Sequence, residues 1–307
     1  FPQPLPSTAG GALPPYINIG DIQNTGVDIS AKYFGTLVNH NLKFNVGASI
    51  TTYNNQVKKI PGSGFFDAGS QQQIGNLVRN QEGHAVSSFF GYQVIGLFNS
   101  DDEVTKSPAQ TDAAPGRFKY RDVDGDGIIT PADRTFLGSP NPDFTYGLNL
   151  NLEYKGFDLS AFFYGNSGSK IINTLKANTY FWGAYITNKN RDLLNAWTPQ
   201  NTNTTIPKIE AQTSMSTGGT MNSFFVENGS YLRLKSLMLG YNINIRSLEK
   251  FGIQKFRVYL QGANLFTITK YSGLDPELVG PSSNFGIDFG NYPGNFKNYI
   301  LGLDISF

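Results

Sequence analysis

One stretch of the chain carries acidic residues at the spacing of a calcium-binding loop. Counting from Asp122, carboxylates fall at positions 1, 3, 5 and 12, and Gly127 falls at position 6, where such a loop turns sharply. Calcium is a hard cation that prefers several oxygen ligands, and this spacing brings them to one point. The sequence therefore predicts a structural calcium site. Its predicted ligands are Asp122, Asp124, Asp126, the main-chain carbonyl of Ile128, and Asp133.

The same stretch has a second interpretation, which is a polar turn leading into a short helix. Thr130 would then be the N-cap, Pro131 the first helical residue and Asp133 the acidic member of a capping box. Asp133 also replaces the Glu that usually closes a calcium loop. Both interpretations can hold in one molecule.

The chain offers no set of residues for covalent chemistry. Cysteine is absent, which removes thiol catalysis, disulfides and thiolate metal ligands. The only histidines, His40 and His84, lie far apart in the sequence, and no nucleophile, base and orienting residue can be grouped. The sequence therefore predicts no enzymatic activity. An aromatic cluster would either stack on sugar rings or pack its loop against neighbouring segments; its members are Tyr180, Phe181, Trp182 and Tyr185.

The elements that must position these residues are strands, because the hydrophobic pattern alternates with a period of two. The alternating runs are 27–33, 42–51, 148–155, 237–245, 256–262 and 299–307. In the last run we expect Asp304 and Ser306 to face a lumen. We expect the other face to meet lipid through Tyr299, Leu301, Leu303, Ile305 and Phe307.

Strand length and composition favour a membrane barrel. The runs are about 8–12 residues long, which is the length of a tilted membrane strand. Aromatic residues such as Tyr154 lie at their ends, as in the interfacial girdles of a barrel. Charged residues make up 15% of the chain, against a usual share of about 25%. A small soluble barrel with the apolar face inside is the alternative.

Charge and hydropathy exclude several other classes. The formal charge of +1 gives no electrostatic reason for nucleic-acid binding. No apolar run approaches the roughly 18 residues of a transmembrane helix. The first residues, FPQPLP, do not form a signal peptide, so we expect the start of a secreted precursor to lie outside this sequence.

The connections between the runs are of two kinds. Lys155 and Gly156 predict a tight hairpin. Four long loops are predicted, at 55–83, 99–142, 168–222 and 272–295, on the extracellular side of a barrel. Within the third loop, the spacing of Leu193, Leu194 and Trp197 predicts a short helix over 188–197. Residues 1–307 are predicted to form part of one domain with about 8–10 strands.

Five collinear stretches carry further motifs. They are 18–28 (N-x-G-x-x-x-N-x-G-x-D), 82–98 (ending in G-Y-x-x-x-G-L-F), 121–147, 231–241 and 262–277. Together they resemble the SusC/RagA-like family of TonB-dependent outer-membrane transporters, with Asp28 where the family has Glu. The resemblance extends over nearly the whole chain.

The resemblance implies an all-β fold, in which this chain is the C-terminal part of a plugged, transmembrane antiparallel β-barrel of about 22 strands with long extracellular loops. The plug domain and the TonB box would precede Phe1 and are not in this sequence. It further implies active import of oligosaccharides or peptides across the outer membrane of a Bacteroidetes-type Gram-negative bacterium. The implied partners are a SusD-like surface lipoprotein, which acts as a lid, and TonB.

Two other functions stay open from the residues alone. A passive porin-like barrel would have no plug domain. A soluble, calcium-dependent carbohydrate-binding β-protein could be extracted from cells without detergent.

Overall fold

A computed structural model of the chain describes residues 20–37, 41–62, 64–181, 188–243, 252–278, 280, 284–291 and 294–307. These residues form mainly β-structure. The strands are β1 (Asp21–Leu37), β2 (Leu42–Lys59), β3 (Phe65–Gln71), β4 (Gly75–Gln81), β5 (Ser88–Tyr92), β6 (Val94–Leu97), β7 (Phe118–Tyr120), β8 (Arg134–Gly138), β9 (Phe144–Tyr154), β10 (Phe157–Ser167), β11 (Lys170–Asn173), β12 (Val226–Asn228), β13 (Tyr231–Asn242), β14 (Lys255–Ala263), β15 (Thr267–Thr269), β16 (Ile287–Asp288) and β17 (Asn298–Ser306).

Helices are few and short. The α-helices are α1 (Asp101–Lys106) and α2 (Leu175–Thr179), and 3₁₀ helices lie at Pro131–Asp133, Arg191–Asn195, Met215–Thr217 and Ser223–Phe225. In the part of the chain that the structure describes, no helix is long and apolar enough to cross a membrane.

Seven long strands form one antiparallel wall, in the order β1-β2-β9-β10-β13-β14-β17, and β15 pairs with β13 beside it. This arrangement confirms the predicted antiparallel all-β fold. Counted with β15, this sheet has eight strands among the described residues, and the predicted number of about 8–10 for one barrel domain stays a prediction. The remaining strands are short and belong to smaller sheets outside the wall.

The register of the wall aligns its apolar residues into one band. Residues directly opposite each other in antiparallel strands project to the same face. One continuous row consists of Phe44, Leu152, Leu159, Leu239, Leu260 and Leu301. Leu239 is 48% exposed and Leu301 is 75% exposed. An exposed apolar band on an alternating wall is typical of a surface that meets lipid.

The predicted hairpin at Lys155 and Gly156 is confirmed. Both residues have a positive φ, of 46° and 87°, as a two-residue hairpin turn requires. The turn brings Tyr154 opposite Phe157, and the Phe157 ring lies 4.4 Å from the ring of Tyr241 on β13. These aromatic side chains border the apolar band at the end of the wall with the short turn.

Two predictions about strand and loop extent are wrong. β1 and β2 contain 17 and 18 residues, where about 8–12 were expected. The predicted loop 55–83 therefore begins inside β2 and contains the β3–β4 hairpin. Hydrophobic alternation is visible only where one face of a strand is apolar and the other is polar. The backbone hydrogen bonds between β1 and β2 continue beyond that part, through residues that are polar on both faces. In this extension Asn55 donates to Asn24 at 2.6 Å.

The helix predicted over 188–197 is also corrected. The structure has a 3₁₀ helix over Arg191–Asn195, and its C-cap, Ala196, has a non-helical backbone with φ of −58° and ψ of 153°. Leu194 is 82% exposed while Trp197 is 5% exposed, so they do not share one side. Pro199 follows closely, and the residue before a proline disfavours helical backbone.

The hydrophobic core lies in the long connections between wall strands, at the end opposite the short hairpin. Its central side chains come from widely separated segments: Val78, Phe89, Phe118, Tyr120, Trp197, Met221 and Phe225. Tyr180 and Phe181 belong to the same cluster, so these two residues pack the connections together. Trp182, Tyr185 and His40 lie outside the described residues.

Candidate functional site

The predicted calcium loop lies between β7 and β8, and Ala109 fixes its middle. The Ala109 amide donates to the Gly127 carbonyl at 2.8 Å, and the Ile129 amide donates to the Ala109 carbonyl at 2.8 Å. The Gly127 carbonyl and the Ile129 amide thus face Ala109. In extended backbone the amide and carbonyl of the residue between them point the opposite way, toward the acidic side chains. The Ile128 amide does so, since it donates to Asp126 at 2.8 Å.

Three carboxylates converge in this loop. Oxygen atoms of Asp122, Asp124 and Asp126 all lie within 4.8 Å of one another. Asp122 accepts hydrogen bonds from the amides of Gly125 at 2.7 Å and Gly127 at 2.9 Å. These glycines have φ of 76° and 84°, conformations that side chains disfavour. The loop therefore brings together three carboxylate groups that could act as metal ligands. Its backbone needs the positive φ angles that Gly125 and Gly127 adopt without strain.

Asp133 has a different environment from the other three carboxylates. Its side chain is fully buried and accepts from the amides of Val123 and Thr130, each at 2.7 Å. The Thr130 side chain accepts from the Ala132 amide at 3.1 Å and also from the Asp133 amide, and the second contact completes a capping box. Burial alone would raise the pKa of Asp133, but these hydrogen bonds hold it below its ordinary value. The structure thus shows the capping role, and calcium ligation by Asp133 stays a prediction.

An ion pair crosses one strand of the wall on the face opposite the apolar band. Arg257 on β14 donates through Nε to Asp158 on β10 at 2.9 Å and through Nη2 at 2.5 Å. Gly240 on β13 lies between them. No sequence pattern predicts this pair, because 99 positions separate the two residues.

Around this pair the wall carries further charges and borders a cleft. Lys255 pairs with Asp304 at 3.0 Å, and Lys43 lies 4.0 Å from Glu153. The cleft has a volume of about 1140 Å³, and its lining combines charged side chains with asparagine, serine and aromatic side chains; the charged ones are Lys43, Glu153, Asp158, Lys255 and Arg257. A wall that is apolar on one face and charged on the other can separate lipid from an aqueous lumen. The prediction that Asp304 lies on the polar face is confirmed by this register.

A buried ionic network joins two of the sequence motifs. Arg233 is 3% exposed and contacts Asp275 at 2.5 Å and Glu277 at 2.7 Å. Lys235 also contacts Glu277, at 2.6 Å. Arg233 further donates to Thr267 at 2.8 Å. These contacts hold the segment that follows β15 against β13, close to the start of the long loops.

His84 takes part in packing. Its ring stacks on Phe136 with a centroid distance of 3.6 Å, and burial lowers its pKa below the ordinary value. No metal-binding group among the described residues includes it.

The known proteins that are similar in sequence to this chain are TonB-dependent receptors. No protein-family model matches the chain. It is 34% identical to TonB-dependent receptor P3 of Formosa agariphila, over 100% of this chain and 31% of that receptor. It is 28% identical to the TonB-dependent receptor SusC of Bacteroides thetaiotaomicron, over 94% of this chain and 27% of the receptor.

A solved structure, that of the RagAB peptide transporter, matches with a TM-score of 0.77 and 27% identity, over 99% of this chain and 31% of the matched chain. A second RagAB structure, the peptide importer in the closed-closed state, gives a TM-score of 0.75. The chain thus spans between 27% and 31% of the length of these relatives. They are receptors and transporters and not enzymes, which agrees with the absence of a predicted catalytic set.

Proposed function

This chain belongs to the SusC/RagA-like family of TonB-dependent receptors, and we propose that it forms the C-terminal part of the barrel of an outer-membrane nutrient importer. The observation that carries this proposal is the wall itself. Its register puts an unbroken row of apolar side chains on one face and ion-paired charges on the other. That division matches a barrel with lipid outside and water inside.

The proposed cargo is an oligosaccharide or a peptide, and the proposed host is a Bacteroidetes-type Gram-negative bacterium. A SusD-like surface lipoprotein would cover the long-loop end of the barrel. TonB would supply energy through an N-terminal part of the protein. The relationship to SusC and to the RagAB peptide transporter supports these partners and this cargo class.

Uptake in living cells tests the proposal. We expect deletion of the gene to abolish growth on one nutrient polymer, and complementation to restore it only when TonB is present. Uptake that continues without TonB would instead identify a passive porin-like barrel. Recovery of the full-length protein from cells without detergent would instead indicate a soluble carbohydrate-binding protein.

We also propose that the loop around Asp122 binds one structural calcium ion. The three converging carboxylates and the orientation of the Ile128 peptide support this site. Equilibrium dialysis of the full receptor with radioactive calcium should give one site that the double variant Asp124→Asn, Asp126→Asn lacks. The matched control is Asp101→Asn, Asp102→Asn in the exposed acidic turn of α1. Equal calcium binding by the two double variants would refute the site.

A further inference from the structure

A small cleft lies among the long connections, separate from the cleft on the wall. Its volume is about 340 Å³, which is near the lower end of the roughly 300–1,000 Å³ that is usual for ligand pockets. Its lining comes from β6, the start of α1, β7 and the connection at 202–204. The cleft therefore has room for a small ring-shaped group.

Part of the lining is aliphatic and open to solvent. Ile95 on β6 is 54% exposed although its side chain is large and apolar, and Leu97 lies two residues later. Gly96 between them carries no side chain, and a Cβ atom there would meet no atom within 4 Å. The space beside this part of β6 is therefore accessible to a ligand.

The charged side chains that line this cleft, among the described residues, compensate each other. Lys119 Nζ donates to Glu103 Oε1 at 2.9 Å, and the main-chain amide of Asn99 donates to Glu103 Oε2 at 2.9 Å. The Asn99 amide, and after it Lys119, hold the pKa of Glu103 below its ordinary value. The carboxylate is therefore ionised at neutral pH, and the pair leaves no net charge for a charged ligand to bind.

Three neutral side chains in the lining have hydrogen-bonding groups without a partner in the described part of the chain. The Asn99 oxygen accepts from Trp197 Nε1 at 2.9 Å, which leaves the side-chain NH₂ group of Asn99 without an acceptor there. Thr202 and Asn203 are exposed, and their side chains make no hydrogen bond to a described residue. These groups offer both donors and acceptors beside the aliphatic part of the lining.

The connection that carries Thr202 and Asn203 is held in place by the next residue. The Thr204 hydroxyl donates to the Asn195 carbonyl at 2.8 Å and accepts from the Ile206 amide at 3.1 Å. The unpartnered groups are thus positioned before any ligand arrives, which lowers the entropic cost of binding.

The polar part of the lining is specific to this chain. Asn99, Glu103, Lys119 and residues 202–204 all lie outside the five stretches that carry the resemblance to the family. Only the β6 residues belong to one of those stretches. The groups that would select a ligand are therefore not part of the shared motifs.

We propose that this cleft binds one ring of a neutral sugar. The C–H face of the ring would lie on Ile95, and its hydroxyl groups would exchange hydrogen bonds with Thr202 and Asn203. The Lys119–Glu103 pair would bind a further hydroxyl group, since a hydroxyl both donates and accepts. This inference rests on the proposed import function and narrows its cargo to a neutral oligosaccharide.

Titration calorimetry on the full receptor, purified in detergent, tests the inference. The probes are maltotetraose, cellotetraose, laminaritetraose and xylotetraose, with tetraglutamine as a neutral peptide. We expect at least one of the sugars to bind. The double variant Thr202→Val, Asn203→Leu keeps the side-chain volumes but removes the hydrogen-bonding groups, so it should weaken that binding by roughly tenfold or more.

The matched control is the double variant Thr198→Val, Gln200→Met. It makes the same kind of change at exposed positions of the same connection that do not line the cleft, and it should bind the sugar as the wild type does. Asn203→Trp is a second test, because an indole at this position would fill the cleft and should also weaken binding. Heat-resistant mobility on SDS gels verifies that each variant is folded.

The inference is overturned if none of the sugars binds, if only the peptide binds, or if the two cleft variants keep the wild-type affinity. Weaker co-purification of a lipoprotein with unchanged sugar affinity would identify a protein contact surface and overturn it as well. In those cases gene-dependent uptake of some nutrient would leave the import function intact. Absence of any gene-dependent uptake would refute the import function itself.

Discussion

Arg257 on β14 reaches Asp158 on β10 by passing directly over Gly240 on the strand between them. A Cβ atom at position 240 would lie 2.4 Å from Arg257 Nη2 and 2.6 Å from Asp158 Oδ1. A side chain at position 240 would therefore force Arg257 or Asp158 to move. The absence of a side chain at Gly240 is therefore what allows an ion pair to span three strands of the wall.

The first prediction concerns this position. Gly240→Ala should break the Arg257–Asp158 pair and lower the free energy of unfolding by about 1–3 kcal/mol. Gly47→Ala is the matched control on the same polar face, because its Cβ would meet nothing closer than 3.5 Å. The temperature at which the barrel loses its heat-resistant mobility on SDS gels measures the difference. A Gly240→Ala barrel as stable as the control would show that the pair contributes little.

A second prediction concerns the buried network of Arg233. Arg233→Ala leaves Asp275 and Glu277 without their partner, and removal of one member of a buried pair costs about 3–5 kcal/mol. We expect faster hydrogen exchange over residues 272–278, which these contacts fasten to β13. Lys106→Ala is the control, because the Lys106–Asp102 pair is 73% and 75% exposed and such pairs contribute about 0–1 kcal/mol. Unchanged exchange over 272–278 in Arg233→Ala would contradict the fastening role.

A third prediction tests the two faces of the wall. Leu260→Arg places a charge in the apolar band and should destabilise the barrel by about 2–4 kcal/mol if the residue lies near the bilayer midplane. Gln261→Arg, one residue later on the polar face, should have little effect. The amount of folded receptor in isolated outer membranes measures both variants. A harmful Gln261→Arg with a tolerated Leu260→Arg would mean that the faces are reversed.

A fourth prediction gives a pH dependence at the long-loop end. Glu227 lies 2.9 Å from Lys176 and accepts from the amide and hydroxyl of Ser272, each at 2.8 Å. Burial opposes ionisation, but Lys176 and Ser272 hold the pKa of Glu227 below its ordinary value of 4.5. A lowered folded-state pKa contributes stability that is complete above 4.5 and is lost as the pH falls through the folded-state value.

Glu227→Gln should therefore destabilise the connections at neutral pH, by roughly 3 kcal/mol. It should also reduce the loss of stability that acid causes in the wild type. Limited proteolysis at pH values from about 3 to about 7 measures both effects, because this interval includes the pH at which a glutamate carboxylate ordinarily titrates. Parallel acid profiles for wild type and variant would exclude a contribution from Glu227.

The sequence by itself determined the faces of the strands and the local turns. The alternation of Leu148, Leu150 and Leu152 with asparagines specifies which side chains share a surface, because strand side chains alternate regardless of the partner strand. The spacing of Asp122, Asp124, Asp126 and Gly127 likewise specifies a local loop, which the structure forms with converging carboxylates. Local periodicity is enough for both features.

Only the tertiary structure decided which distant residues meet. Register between strands determines that Arg257 lies across Gly240 from Asp158, and the path of the connection after β15 determines that Arg233 reaches Asp275. The extension of β1 and β2 also escaped the sequence pattern, because backbone hydrogen bonds continue where hydrophobic alternation ends. Pairing depends on contacts between residues far apart in the chain, and period-two patterns contain no information about those partners.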